Sequence, residues 1–205
     1  MFVGIYNLPN LITFAGMLLS FLVCYFSLSG NLPLAMLCLL AVGLLDAVDG
    51  AVARRSNLDE RAKAFGAQLD PAADILNFSL APIVAGYSIG MTGLLDWLVL
   101  WFYGTCLVIR VANFNTGAVM RREGKLVYTG FVTTYAAFAF PAVLAVATQL
   151  PLSHSLNFAR ISYIFWGLLF ILNRPIPDLR GSRWLSRLVL FLMLPLLIIY
   201  WLVQL

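Results

Sequence analysis

The chain has 205 residues, 62% of them apolar and 11% charged, with a mean hydropathy of +0.93. Soluble domains are about one quarter charged, so the composition excludes an ordinary soluble protein and gives one polytopic membrane domain over residues 1–205. The net charge of +4 and a pI near 9.1 suit anionic headgroups and nucleotide phosphates, and no basic stripe interleaved with aromatics points to nucleic acid.

A membrane-spanning helix needs about 20 mostly apolar residues. Seven segments qualify in chain order, at roughly 9–29, 33–54, 66–90, 94–120, 129–150, 157–173 and 184–204. The first has no Lys or Arg before it and reads as a retained helix rather than a signal peptide. Breaks fall at Ser29-Gly30-Asn31, Gly90 to Gly93, Pro151 to Ser155 and the Pro175/Pro177 pair. Between the fourth and fifth spans, Lys125 to Gly130 is semi-polar, so the fifth has an ill-defined start. The expected fold is an all-α bundle of about seven transmembrane helices, with 184–204 as an additional C-terminal one.

With the N-terminus in the cytoplasm and seven alternating spans, 11 of the 13 basic residues lie on the cytoplasmic side. The positive-inside rule therefore predicts that orientation. Cys24, Cys38 and Cys106 lie inside apolar segments at no metal-like spacing and read as small hydrophobes. Asn77-Phe78-Ser79 matches a glycosylation pattern but sits in an apolar span, and it is discounted. Asp96 reads as a solvated group at the far interface, His154 as inert in a far-side loop, and Glu123 as a surface ion pair with its basic neighbours.

Only nine carboxylates occur in the chain, and four fall at the ends of spans two and three: Asp46, Asp49, Asp70 and Asp74. Ionised groups beside so much apolar sequence are costly and functional by default. Asp46 and Asp49 are spaced i, i+3, so they project from one helix face, which Ala53 continues. Gly66, Asp70 and Asp74 follow at four-residue steps on the next helix. Like charges so arranged call for a multivalent cation, and hard oxygen ligands without His or Cys select Mg²⁺, Mn²⁺ or Ca²⁺. Four carboxylates could hold two ions, and such a pair can clamp a phosphoryl group. Gly50 and Gly66 leave room for close approach of a ligand. Arg54, one turn beyond Gly50, is placed for a phosphate. A carboxylate not fully engaged by metal could take a proton from a hydroxyl. Acid, metal, arginine and glycine together point to phosphoryl transfer.

The run Asp46-x2-Asp49-Gly50-x2-Ala53-Arg54 … Gly66-x3-Asp70-x3-Asp74 resembles the signature of the CDP-alcohol phosphotransferases at all eight defining positions. The gap between Arg54 and Gly66 is longer than usual by about three residues, which loop-closure entropy tolerates. The resemblance implies a six-helix core plus one and transfer of a phosphatidyl group from CDP-diacylglycerol to an alcohol, releasing CMP. It implies that Asp46, Asp49, Asp70 and Asp74 ligate two Mg²⁺ or Mn²⁺ ions, with Asp74 the favoured base, and that Gly50, Ala53, Arg54 and Gly66 line the nucleotide site. It also implies a homodimer in a bacterial or archaeal cytoplasmic membrane, its site facing the cytoplasm.

Two further stretches resemble the phosphatidylserine synthase branch: Leu69 to Pro82 and Leu107 to Asn115. Asn113 stands where a second Arg is usual, and Gly130-Phe131-Val132-Thr133-Thr134 replaces a GLPxP or GLPTT run. L-Serine is the expected acceptor, with Arg110, Arg122 and Lys125 as candidates for the acceptor carboxylate or a lipid phosphate. Glycerol 3-phosphate, inositol or inositol phosphate is the alternative acceptor. A divalent-cation transporter is the alternative of another class, but its ligands belong at mid-bilayer on repeat-related broken helices, and no repeat is visible here.

Overall fold

The computed structural model describes residues 3–116, 131–173 and 194–205, together with the backbone of 119–122 and 125–128. Eight α-helices, one of them extended by a π turn, make up most of the described chain. α1 (Leu8–Leu28) starts where the Asn7 side chain accepts from the Asn10 N–H at 3.0 Å. α2 (Leu32–Arg55) starts at Asn31, whose side chain accepts from the Leu34 N–H at 3.2 Å. Asn at the N-cap satisfies an N–H that the first turn leaves open. Gly30, at φ +82° between the two helices, supplies a left-handed conformation that a side chain would resist. Arg54 and Arg55 end α2, where basic charge meets the negative end of the helix dipole.

Asp59 caps α3 (Glu60–Ile75) by accepting from the Ala62 N–H at 2.7 Å. A π turn (Leu76–Leu80) and α4 (Ala81–Ser88) continue α3 without a break. At about 1.5 Å rise per residue this rod is roughly 40 Å long, more than the about 30 Å of hydrocarbon it has to cross. Pro82 has no N–H for the Phe78 carbonyl one turn back. The hydroxyl of Tyr103 donates to that carbonyl instead. Tyr163 does the same for the Pro82 carbonyl, reaching it over Gly86, where a Cβ would lie 2.6 Å from its hydroxyl oxygen. The two tyrosines stack edge-on at 5.2 Å and join Phe140 and Phe170 in the buried core.

α5 (Leu94–Asn115), α6 (Ala136–Ala147), α7 (Leu152–Ile171) and α8 (Leu194–Val203) complete the bundle. α1 packs along α2 and also touches α3 and α4, α5 packs on α7, and α6 packs on α2 and α7. α2 and α6 meet at Gly43, where a Cβ would come within 2.6 Å of the Ala137 Cβ. α8 is tied to α6 by the Tyr200 hydroxyl, which donates to the Ala145 carbonyl at 3.1 Å, and by the buried Trp201. α1, α2 and α5 are each long and apolar enough on their own to cross a membrane.

The helical bundle matches the expected architecture, with three corrections. The fourth span ends at Asn115 rather than 120. An antiparallel hairpin follows, β1 (Val119–Arg122) with β2 (Lys125–Tyr128), pairing Arg122 with Lys125 and Val119 with Tyr128. The polar Asn115-Thr116-Gly117 run and the β-branched and aromatic residues beyond it favour that change. The fifth span begins as a 3₁₀ turn (Thr133–Tyr135) leading into α6. Asp96 is not solvated: it is buried, takes Arg160 Nε at 2.6 Å and accepts from the Gly93 N–H at 2.9 Å. It thereby locks the start of α5 to α7. His154 is exposed in the first turn of α7. Asn77 is buried and accepts from Ser20 at 2.6 Å, consistent with discounting it as a glycan acceptor. Residues 184–193 and Glu123 lie outside the described residues.

Removing the Tyr103 hydroxyl leaves a buried carbonyl unsatisfied. Such a loss costs about 1–3 kcal/mol. Tyr103→Phe should therefore lower the melting temperature of the detergent-purified protein measurably, while the equally conservative Tyr25→Phe, at an exposed site, should not.

Candidate active site

Two helices and a four-residue connection position the carboxylates. The last three turns of α2 carry Asp46 and Asp49, and the second half of α3 carries Asp70 and Asp74. The chain reverses over residues 56–59, so Asp49 and Asp70 are nearer the connection, and Asp46 and Asp74 lie one turn deeper. Asp46, Asp49 and Asp70 each offer an oxygen within 4.8 Å of the others. Exposure is graded across the set: Asp49 is buried, Asp46 and Asp74 are half-buried, and Asp70 is exposed. The site is thus open on the Asp70 side and closed behind Asp49.

Three threonine hydroxyls fix the carboxylates from elements outside the motif. Thr13 of α1 donates to Asp49 Oδ2 at 3.0 Å, Thr133 to Asp74 Oδ2 at 3.0 Å, and Thr134 to Asp46 Oδ2 at 2.6 Å. Thr133 and Thr134 are adjacent residues of the 3₁₀ turn, so one short turn spans both helices of the cluster. The motif spacing carries no sign of Thr13 or Thr134. The signal that could have found them is a polar residue at an otherwise apolar helix end: Asn10 and Thr13 in α1, and the Thr133-Thr134 pair ahead of α6.

The expected nucleotide positions fall on the same two helices. Gly50 and Ala53 lie on α2 beside the carboxylates, half-buried, with Arg54 exposed after them. A Cβ on Gly50 would come 3.3 Å from the Arg54 guanidinium. Gly66 on α3 faces α1, where a Cβ would come 3.3 Å from Asn10 Oδ1. α1 therefore forms one wall at the glycine step of α3. Arg110 is 6% exposed, donates through Nε to the Phe131 carbonyl at 3.0 Å and lies 5.2 Å from the centre of the Phe114 ring. It reaches the cluster through the Phe131–Tyr135 segment. Arg122 and Lys125 are cross-strand partners in the hairpin, and their side chains lie outside the described residues.

The donor set fits a hard divalent cation. It offers several carboxylate oxygens in close register and no His or Cys, and oxygen-only sites select Mg²⁺, Mn²⁺ or Ca²⁺ over zinc or copper. The threonine hydroxyls would supply the outer contacts that orient carboxylates around such an ion.

A family model described as CDP-alcohol phosphatidyltransferase matches residues 6–171. That range takes in α1 to α7 and every residue of the cluster and its threonine contacts. The chain is similar to proteins named CDP-diacylglycerol–serine O-phosphatidyltransferase. The one from Mycobacterium tuberculosis (strain H37Rv) is 31% identical over 114 residues, 55% of this chain and 39% of that protein. The one from Saccharomyces cerevisiae is 32% identical over 102 residues, 49% of this chain and 35% of that protein. The one from Helicobacter pylori (strain 26695) is 25% identical over 213 residues, 96% of this chain and 82% of that protein. The chain thus spans about two fifths of the mycobacterial relative's length and most of the Helicobacter one's.

Asp70 is the exposed member of the cluster, so its replacement tests metal binding with little effect on packing. Asp70→Asn should weaken Mn²⁺ binding at least tenfold in a titration followed by electron paramagnetic resonance, with the melting temperature of the metal-free protein unchanged.

Proposed function

The chain belongs to the CDP-alcohol phosphatidyltransferase family, and from that premise we propose that it transfers a phosphatidyl group from CDP-diacylglycerol to L-serine and releases CMP. The observation that carries this reading is the convergence of Asp46, Asp49 and Asp70 within 4.8 Å where α2 and α3 come together, with Gly50, Ala53, Arg54 and Gly66 beside them. The serine acceptor is supported by the names of the similar proteins. Asp46, Asp49, Asp70 and Asp74 would hold two divalent ions, Mg²⁺ or Mn²⁺, which when bound neutralise the diphosphate and its departing oxygen.

The chain's own residues do the rest. Diacylglycerol tails stay in the bilayer while the diphosphate lies over the Asp70 side of the cluster. Gly50 and Gly66 leave space for the nucleotide, and Arg54 at the exposed end of α2 pairs with its phosphate. Asp74 takes the serine hydroxyl proton as a general base. The freed oxygen attacks the phosphorus that carries diacylglycerol, a new P–O bond forms, the bond to the CMP phosphate breaks, and CMP leaves with the electron pair. In this reading the site faces the cytoplasm, which the Lys and Arg distribution supports, and the protein works as a homodimer.

The cations expected on the acceptor side divide between two places. Arg110 is engaged by the Phe131 carbonyl, whereas the hairpin register sets Arg122 opposite Lys125. Arg122 and Lys125 then carry the charge that meets the serine carboxylate. The same pair favours a second reading, a phosphorylated acceptor such as glycerol 3-phosphate or inositol phosphate.

A CMP-release assay on purified protein with CDP-diacylglycerol and Mn²⁺ decides between them. Serine should support turnover, and glycerol 3-phosphate, inositol and inositol phosphate should not. Asp74→Asn should reduce the serine-dependent rate by about 10²- to 10⁴-fold, the usual contribution of a general base. Release driven by a phosphorylated alcohol alone would replace serine with that acceptor, and Mn²⁺ uptake into proteoliposomes without CMP chemistry would replace the enzyme with a transporter.

A further inference from the structure

Besides the Thr13 contact of α1 on Asp49, the carboxylate cluster is tied to the rest of the bundle through one short segment. Thr133 and Thr134 reach Asp74 and Asp46, on different helices, at 3.0 and 2.6 Å. The segment that carries them is itself anchored at Phe131 on three sides. Its N–H donates to the Leu169 carbonyl of α7 at 3.3 Å, and its carbonyl accepts from Arg110 Nε of α5 at 3.0 Å. Its ring packs on Trp166 and Tyr135 with centroids 5.6 and 5.0 Å away. Arg110 is nearly fully buried and lies over Phe114, so its charged head is held in place rather than swinging with a ligand.

We propose that the Phe131–Thr134 segment is a positioning device that sets the rotamers of Asp46 and Asp74 relative to each other, with Arg110 as its strut. Arg110 is then a positioning residue and not a ligand of the acceptor or of a lipid phosphate. The role follows from chemistry as well as geometry. A carboxylate on a helix has a broad terminal torsion, and two like-charged carboxylates left to themselves turn apart. Adjacent hydroxyls from one turn hold both facing inward, with a spacing fixed by the backbone rather than by a bound ion. Outer contacts of this type typically alter metal affinity by about 10–100-fold. The inference rests on the functional reading only in taking the cluster to bind a divalent cation.

Mn²⁺ affinity, measured on the purified full chain by electron paramagnetic resonance, tests it without reference to turnover. Thr134→Val and Thr133→Val should each weaken Mn²⁺ binding about 10–100-fold, and Thr134→Ser and Thr133→Ser, which restore the hydroxyl, should return it to within about threefold of the parent. Arg110→Gln should weaken Mn²⁺ binding in the same direction and lower kcat, leaving the KM for serine within about twofold. Valine variants that bind Mn²⁺ like the parent, or serine variants that fail to rescue, would overturn the proposal, as would an Arg110→Gln protein whose only change is a raised serine KM. A parent protein that binds Mn²⁺ but releases no CMP with any alcohol would sink the functional reading and leave the Mn²⁺ comparison intact; a parent that binds no Mn²⁺ would sink this one.

Discussion

Everything near the site follows from confining four carboxylates in an apolar bundle. Two like charges about 4.8 Å apart repel by roughly 3 kcal/mol at an effective dielectric of about 20, and three of these groups are that close to one another. Such a cluster is tolerable only if positive charge enters it or if the surrounding structure holds it together while empty. The fold does the second in its own right, through hydroxyl donors on Asp46, Asp49 and Asp74. The grading from buried Asp49 to exposed Asp70 leaves the cluster open on its Asp70 side.

The donors come from far along the chain. Thr13 lies in the first helix, and Thr133 and Thr134 lie before the sixth, yet all three meet α2 or α3. This explains the packing order. α1 must run beside both α2 and α3, and α6 must approach α2 closely, which the missing side chain at Gly43 permits. At the opposite end, the Asp96–Arg160 pair ties α5 to α7. Those are the two helices that hold Phe131, so the far interface and the site are linked by the same pair of rods.

The amino-acid sequence is most legible where chemistry and period coincide. Asp46 with Asp49, and Gly66 with Asp70 and Asp74, lie at helical steps, so spacing alone reveals their common faces. The apolar runs similarly mark the helices, because a membrane demands long continuous stretches. What is not legible depends on contacts between distant segments. Nothing local distinguishes Thr134 from any hydroxyl near a helix start. Asp96 reads as solvated because its partner, Arg160, is 64 residues away and on another helix. The hairpin is hidden because a four-residue strand has too few periods to stand out beside a long apolar run.

The π turn has a consequence for comparing relatives. In a regular helix the stripe Gly66, Asp70, Asp74 would continue to Phe78 on the same face. The extra residue in the turn at 76–80 shifts the helix phase by about one residue, some 100°, and Phe78 is fully buried in the core. The acidic stripe is thereby cut off, and everything beyond it is indexed to the tyrosine pair and not to the motif. A homologue that lacks one residue here has lost the bulge, and its helix beyond position 80 presents different side chains to α5 and α7. Alignments that slide a gap from this turn into a neighbouring loop would match the motif correctly and misassign the whole second half of the rod.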